Sequence, residues 1–132
     1  MVLCDYALGG FRKPEMIKKR PAVVISPRLP YRDSLCTVVP LSGTAPNNKI
    51  EYQRRIELEE ALPHPFPLSV WWAKCDMLAT VGFQRLDLFR TERMVGGKRK
   101  YIHPKLSAEQ IAEVHKGVLF AIGLGSLTRG GQ

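Results

Sequence analysis

The segment KKRPAVVISP, residues 18–27, places three basic residues directly before a short apolar run. The run AVVI contains three β-branched residues, which favour extended backbone, so we predict a buried strand from Pro21 to Ser26. Pro21 fixes its own φ and disfavours helix in the residue before it. Arg20 is therefore expected to be extended, with its guanidinium at the entrance of a buried strand.

Similar short extended segments recur through the first two thirds of the chain, separated by proline and glycine. The segment NKIEYQRRIEL (residues 48–58) alternates apolar and charged residues and indicates an exposed edge or hairpin strand. Gly96-Gly97 predicts a further hairpin, because glycine tolerates the positive φ of tight β-turns. The other predicted strands are VLCDYAL (2–8), LCTVVPLS (35–42) and LSVWWAKCDML (68–78), and the proline-rich LPHPFP (62–67) is predicted to be an irregular loop.

The last quarter of the chain changes to helical periodicity. Ser107 with Gln110 three residues later is a capping-box pattern, and apolar residues then recur at helical spacing until Gly123. We predict one C-terminal helix that packs on a β core. Several short strands closed by one helix favour a mainly β fold, a small barrel, in a single domain over residues 1–124. Residues 125–132 are predicted to form a disordered tail.

Composition narrows the class of partner. The chain has 132 residues, of which 45% are hydrophobic and 24% charged, as in a soluble globular domain. Twenty Lys and Arg against twelve Asp and Glu give a net charge of +8. The electrostatic field of a chain with this positive charge attracts polyanions, so nucleic acid or an acidic protein is the expected partner.

The cysteines and the hydropathy pattern point to the cytoplasm. Cys4, Cys36 and Cys75 are odd in number and form no C-x-x-C pair, so they predict neither a disulfide framework nor a zinc site. No segment approaches the roughly 18 apolar residues of a membrane span. We expect a cytoplasmic protein with reduced thiols and no membrane partner.

Three motifs, in order along the chain, resemble one known family. RPAVVISP, TVVPLS and VWWAKCDMLATV, supported by GGKRKY, make the chain from Val2 to Leu124 similar to the Kid/MazF (PemK-like) toxins of type II toxin–antitoxin systems. The resemblance implies a small SH3-like barrel with a C-terminal α-helix, working as a homodimer. It also implies metal-independent cleavage of single-stranded RNA at short sequences by 2′-OH attack, with no cofactor and with inhibition by a cognate acidic antitoxin.

Metal-free RNA cleavage requires a base for the 2′-OH, donors for the phosphate oxygens and an acid for the 5′-oxygen. If VWWAKCD is a strand, Trp72, Lys74 and Asp76 share one face while the intervening residues face the other way. Asp76 is the candidate base and Lys74 the candidate phosphate ligand or acid. The family has Arg where this chain has Lys74, and lysine lacks the bidentate fork of arginine.

The resemblance adds two further catalytic candidates, Arg20 at the Arg-Pro step and Ser42 at the end of TVVPLS. The segment GGFRKPEMIKKR is expected to be a mobile basic loop that attracts the RNA backbone, and Trp72 is a candidate for base stacking. The RNA-binding candidates are therefore Arg12, Lys13, Lys18, Lys19 and Trp72.

Each candidate also has a plain structural interpretation. Asp76 fits a turn or cap acceptor, Arg20 and Lys74 fit solvated surface charges, and Ser42 before Gly43 fits a turn residue. The alternative function is a non-catalytic RNA- or protein-binding module on the same barrel, either a degenerate toxin or a gyrase-directed poison. The polar C-terminal sequence SLTRGGQ disfavours the gyrase-directed version.

Overall fold

The computed structural model describes residues 1–90 and 101–128. Within these ranges the chain forms strands, one α-helix and three short 3-10 helices. The strands are β1 (Val2–Asp5), β2 (Lys19–Val24), β3 (Leu35–Ser42), β4 (Gln53–Glu57), β5 (Val70–Lys74), β6 (Ala79–Gly82), β7 (Leu86–Asp87), β8 (Phe89–Arg90) and β9 (Tyr101–Ile102). The helix α1 spans Ala108–Ala121, and the 3-10 helices are Cys75–Met77, Phe83–Arg85 and Gly125–Thr128.

Strand β3 is the centre of the antiparallel sheet, whose order is β4-β5-β3-β2-β1-β7. One edge of β3 pairs with β2, and the other pairs first with β6 and then with β5. Leu41 lies opposite Ala73, and Val38 lies opposite Ala79. Three residue steps along β3 are therefore matched by six steps along the chain from β5 to β6. The 3-10 turn Cys75–Met77 accommodates the extra residues, as an enlarged β-bulge would.

The two faces of the sheet bury different clusters. The face toward α1 carries the larger core, and the opposite face carries a smaller one that also packs Phe11 and Met16 from the loop between β1 and β2. We call residues 6–18 the basic loop. The larger core comprises Val23, Val39, Leu41, Ile56, Leu62, Trp71, Ala73, Cys75, Phe89 and Val114, and the smaller core comprises Cys4, Tyr6, Ala22, Val38 and Val81.

Helix α1 begins at the predicted capping box. The Ser107 hydroxyl accepts from the Gln110 amide at 3.1 Å, and the Gln110 side chain accepts from the Ser107 amide at 2.9 Å. The helix ends where Gly123 adopts a φ of +83°, a conformation that glycine allows at little cost. Val114 is fully buried against the sheet, so the predicted helix and its seat on the β core are confirmed.

The fold class is confirmed as mainly β with a C-terminal helix, although the sheet curls through β3 without closing into a complete barrel. The segment 48–58 contains an edge strand, as predicted, but β4 is only five residues long. The Gly96-Gly97 turn lies outside the described residues, and the segments that flank it pair as β8 and β9. The predicted tail starts at residue 125, yet Gly125–Thr128 form a 3-10 helix.

The strand predicted from Pro21 begins two residues earlier. Strand β2 includes Lys19 and Arg20, which pair with Asp5 and Cys4 of β1. Arg20 is extended, as expected, but it lies within a strand pair and not at its entrance. In the described part of the chain, no helix is long and apolar enough to cross a membrane.

Candidate active site

Four of the candidate residues lie on one face of three neighbouring strands. Ser42 of β3 is directly opposite Trp72 of β5, and Lys74 follows two positions later on the same side of β5. The β2–β3 register pairs Ala22 with Pro40, and continuing it by two positions places Arg20 beside Ser42. We call this surface, defined by Arg20, Ser42, Trp72 and Lys74, the site face. It lies opposite the α1 side, because the alternate residues of β3 and β5 belong to the larger core.

Arg20 has an incompletely satisfied side chain. Its cross-strand neighbour is Cys4, a fully buried member of the smaller core. The Arg20 Nε atom is inaccessible to solvent and has no hydrogen-bond partner among the described residues. A buried donor without an acceptor is costly, and such groups are uncommon unless they serve a purpose. An anion on the site face would meet the terminal Nη atoms of Arg20, because Nε itself is out of reach of solvent.

Lys19 lies on the other side of β2. It pairs with Asp5 across β1, and it lines a cavity of about 340 Å³ together with His64 and Phe66. Lys19 and Arg20 are consecutive in a strand, so their side chains leave the sheet in opposite directions. The three basic residues of KKR therefore do not form a single surface.

Ser42 forms the turn contact that was one of its two predicted interpretations, and its catalytic role stays a prediction. It is buried, with 7% of its surface exposed, and its hydroxyl accepts a hydrogen bond from the Thr44 amide at 3.2 Å. This contact is that of a turn residue. The hydroxyl proton has no acceptor among the described side chains and carbonyls, so Ser42 retains a donor for a ligand on the site face.

The prediction that one strand carries both Lys74 and Asp76 is wrong. Strand β5 ends at Lys74, and Asp76 lies exposed in the 3-10 turn Cys75–Met77. The other half of the alternation is confirmed, because Trp71 and Ala73 are buried in the larger core. The strand stops because β3 changes partner here, from β5 to β6.

The turn that carries Asp76 is anchored through Cys75. The Cys75 amide donates to the Tyr52 carbonyl at 3.0 Å, and its thiol donates to the Val114 carbonyl of α1 at 3.6 Å. Burial raises the pKa of the Cys75 thiol to about 12. Gly117 lets the helix approach, because a Cβ there would lie 2.5 Å from the Cys75 sulfur. Asp76 thus extends from a firmly held turn directly after Lys74.

The basic loop presents its cations outward. Arg12, Lys13 and Lys18 are exposed, whereas Phe11 and Met16 pack inward on the smaller core. Cys4 of the same core lies opposite Arg20 in the β1–β2 pair, so the loop and Arg20 adjoin one cluster.

Sequence reasoning missed Arg55. It lies opposite Trp72 across the β4–β5 pair and forms an exposed ion pair of 3.3 Å with Glu57. Its position extends the site face by one strand. The alternation in NKIEYQRRIEL puts Arg55 on the opposite side of the strand from the apolar Ile56, and this signal could have identified Arg55 as a surface cation.

The site face does not coincide with two larger cavities of the molecule. A cavity of about 890 Å³ lies between residues 57–62 and 102–110, and one of about 670 Å³ lies beside residues 26–37. Neither is lined by Arg20, Ser42, Lys74 or Asp76. In the part of the chain that the structure describes, no three His, Cys, Asp or Glu side chains are grouped to hold a metal ion.

The curled antiparallel sheet with one C-terminal helix is the fold of MazF toxins. An endoribonuclease solved in complex with its cognate antitoxin from a mycobacterial species superposes with a TM-score of 0.59 at 16% identity, over 93% of this chain and 90% of that one. The Mycobacterium tuberculosis toxin MazF-mt6 superposes with a TM-score of 0.55 at 15% identity, over 93% and 96% of the two chains.

The sequence comparison identifies the family. The chain belongs to the PemK-like, MazF-like toxins of type II toxin–antitoxin systems, whose family model matches residues 1–121. The uncharacterised protein YifN of Escherichia coli (strain K12) is 31% identical over 117 residues, which are 86% of this chain and 73% of YifN.

Proposed function

We propose that this toxin is a metal-independent endoribonuclease that cleaves single-stranded RNA at short sequences. The observation that carries the proposal is the arrangement of Arg20, Ser42, Trp72 and Lys74 on one face of adjacent strands, with Asp76 in the turn that follows Lys74. Neighbouring strands are about 4.8 Å apart, so three of them span about 10 Å, the scale of a phosphate and its two sugars.

The residues divide the chemistry among them. Asp76 takes the proton of the ribose 2′-OH, whose oxygen attacks the adjacent phosphorus and forms a 2′,3′-cyclic phosphate. Arg20 stabilises the negative charge that grows on the non-bridging oxygens, and the Ser42 hydroxyl orients the same phosphate. Lys74 binds the phosphate or gives a proton to the departing 5′-oxygen, and the bond from phosphorus to that oxygen breaks. The second product therefore begins with a 5′-OH.

Substrate binding uses the rest of the surface. Trp72 offers an aromatic ring beside Ser42 for stacking of an unpaired base. Arg12, Lys13 and Lys18 attract the RNA backbone from the basic loop, and Lys19 adds charge from the opposite side of β2. Arg55 is a further candidate for phosphate contact next to Trp72.

The partners follow from the family and from the charge. The mycobacterial neighbour was solved with its cognate antitoxin. For this chain we expect a cytoplasmic homodimer, inhibited by an antitoxin segment that is acidic, disordered when free, and ordered over the site face. A net charge of +8 supports competition between that segment and RNA for the same surface.

A non-catalytic RNA-binding module is the second candidate. It is favoured by the position of Asp76 outside β5 and by the Ser42 hydroxyl, which already accepts a turn hydrogen bond. This version keeps Arg20, Trp72 and Lys74 as RNA ligands and has no base for the 2′-OH.

One experiment separates the two candidates. The purified protein is incubated with a long single-stranded RNA in EDTA, and the ends of any fragments are mapped. Specific fragments with 5′-OH ends support the endoribonuclease. Binding of the RNA without cleavage would favour the binding module, and cleavage that appears only when a divalent ion is restored would refute the metal-independent mechanism.

A further inference from the structure

Arg85 joins the basic loop to the rest of the molecule through three contacts. Its Nη2 donates to the Gly9 carbonyl at 2.6 Å, and its Nη1 donates to the Asp5 carbonyl at 3.2 Å. Its guanidinium carbon lies 4.6 Å from the centre of the Phe11 ring. One side chain thus holds the end of β1, the turn and the aromatic anchor of the loop, and its planar fork donates to two carbonyls at once, a geometry that lysine does not reproduce.

The backbone of the loop is shaped to receive this side chain. The Asp5 carboxylate accepts from the amides of Ala7 and Leu8 at 2.9 and 3.1 Å, which turns the chain as it leaves β1. Gly9 and Gly10 then adopt φ values of +45° and +95°, a left-handed conformation that disfavours other residues. At Gly10 a Cβ would lie 3.6 Å from Arg85 Nη2, so the guanidinium packs directly on the turn.

The aromatic anchor fixes the loop against the smaller core. Phe11 meets Tyr6 edge to face, with ring centres 5.5 Å apart, and packs with Met16 on the smaller core. That core contains Cys4, the cross-strand neighbour of Arg20. The Phe11 ring, between Tyr6 and Arg85, therefore anchors the loop on the core cluster that Arg20 adjoins.

Arg85 itself belongs to the segment that carries the other site residues. Residues 70–87 run without interruption from β5 through the turn with Asp76, then β6 and the 3-10 helix Phe83–Arg85, to β7. Strand β7 pairs with β1 through Leu86 and Cys4, so Arg85 sits next to the point where the loop begins. The contacts of Arg85 thus connect the loop to the same stretch of chain that carries Trp72, Lys74 and Asp76.

We propose that Arg85 is a positioning residue that orders the basic loop for RNA binding. The inference rests on the proposed action on RNA, and it concerns how the loop presents Arg12, Lys13 and Lys18. A loop that is ordered before the substrate arrives does not lose that freedom on binding, so RNA binds more tightly. Arg85 acts through the loop and touches no reacting atom. Its loss should therefore weaken RNA binding much more than it lowers the saturated cleavage rate.

The test has one arm that depends on RNA and one that does not. Hydrogen exchange of the free protein reports the order of residues 7–17 directly, and Arg85→Ala should speed exchange there by at least about ten-fold, with α1 and β3 unchanged. Binding of a fluorescent single-stranded RNA is measured in an Asp76→Ala background, which removes cleavage, and Arg85→Ala should weaken it about five- to ten-fold. Single-turnover cleavage is measured in protein that keeps Asp76. There Arg85→Ala should raise the half-saturating concentration by the same factor, with a saturated rate within about two-fold of that of the unmodified protein.

Three companion variants sharpen the comparison. Arg85→Lys keeps the charge and loses the fork, so it should fall between the unmodified protein and Arg85→Ala in both arms. Phe11→Leu removes the aromatic anchor while Arg85 remains, and it should also speed loop exchange. Arg90→Ala is the matched control, because Arg90 likewise lies over an aromatic ring, that of Tyr101 at 5.3 Å, and pairs with Asp87 away from the loop. It should leave loop exchange unchanged.

The outcomes separate this inference from the proposed function. Loop exchange in Arg85→Ala equal to that of the unmodified protein would overturn the inference, and so would faster exchange with unaltered RNA affinity. A wild-type protein that binds RNA without cutting it would refute the proposed endoribonuclease, while the exchange and binding arms would still decide the role of Arg85.

Discussion

Ser42 and Trp72 lie directly opposite each other where β3 pairs with β5, on the face away from α1. The pair places a hydroxyl donor beside an indole ring, and Lys74 follows on the same side of β5. A phosphate held by Ser42 would therefore have a base-stacking surface next to it. The pair also identifies the side of the sheet on which substrate contacts should be sought.

Trp72 should contribute to RNA affinity through its ring. We expect Trp72→Ala to weaken binding of single-stranded RNA by about 1–3 kcal/mol, whereas Trp72→Phe keeps an aromatic surface and most of the affinity. Tyr31→Ala is the control, since Tyr31 is a fully exposed aromatic in the loop between β2 and β3. Fluorescence anisotropy at fixed salt measures all three. Equal affinities for Trp72→Ala and the unmodified protein would remove Trp72 from the substrate surface.

Arg20 and the lysines before it should have different kinetic effects. Arg20→Ala should lower the saturated single-turnover rate by about 10²–10³, as loss of a transition-state donor does. Changing both Lys18 and Lys19 to Ala should leave that rate nearly intact and reduce the slope of log affinity against log salt by about 1.4, which corresponds to two phosphate contacts on a single strand. The measurement is cleavage at several salt concentrations with saturating enzyme. A rate loss in the double lysine variant as large as that of Arg20→Ala would contradict this division.

Asp76 should be required for cleavage and dispensable for folding. Asp76→Asn keeps the shape of the exposed side chain and removes the proton acceptor, so we expect the saturated rate to fall by about 10²–10⁴. Thermal unfolding should be unchanged, because Asp76 has no hydrogen bond or ion pair among the described residues. Asp33→Asn, an exposed Asp in another loop, is the control. Near-normal cleavage by Asp76→Asn would assign the base elsewhere.

Gly117 should be needed for the approach of α1 to the turn that carries Asp76. Alanine favours helix over glycine by about 1 kcal/mol, but its Cβ would lie 2.5 Å from the buried Cys75 sulfur. We expect Gly117→Ala to reduce the free energy of unfolding by about 1–3 kcal/mol. His115→Ala on the exposed side of the helix should change it by less than about 0.5 kcal/mol.

A double variant tests the cause of that loss. Cys75→Ala removes the sulfur that the new Cβ would meet. Combined with Gly117→Ala, it should therefore cost less than the two separate losses added together. If the two losses of unfolding free energy, measured in urea, simply add in the double variant, contact with Cys75 is not the reason why residue 117 must be glycine.

Cys75 should also destabilise the protein at alkaline pH. Burial raises the pKa of its thiol from 9.0 to about 12, so the folded state resists ionisation that the unfolded chain undergoes. The resulting stability is complete below pH 9 and is lost as the pH rises toward 12. Cys75→Ala should flatten the fall in unfolding free energy across this window, measured by urea unfolding at pH 8 to 11. An unchanged pH dependence would contradict the assignment.

Much of the fold could be predicted because its causes are local. The capping box of Ser107 and Gln110 and the stop at Gly123 depend on neighbours within a few residues, and both were correctly identified. The alternation along β5 was also predicted, since it requires only that the strand exist, and the residues facing away from Trp72 and Lys74 are buried in the larger core. The site face was partly predictable for the same reason, although Arg55 beside it went unnoticed.

The sequence by itself determined the mainly β class, most of the longer extended segments and the helix, because residue preference, capping and periodicity act over short distances. Only the tertiary structure decided where Asp76 lies, because β5 ends when β3 exchanges one partner for another and α1 holds Cys75 in the turn. It also set Lys19 and Arg20 on opposite faces by beginning β2 early, and it brought Arg85 to Gly9, 76 positions away in the chain. These placements depend on which strands pair and in what register, and that is settled by contacts between distant residues.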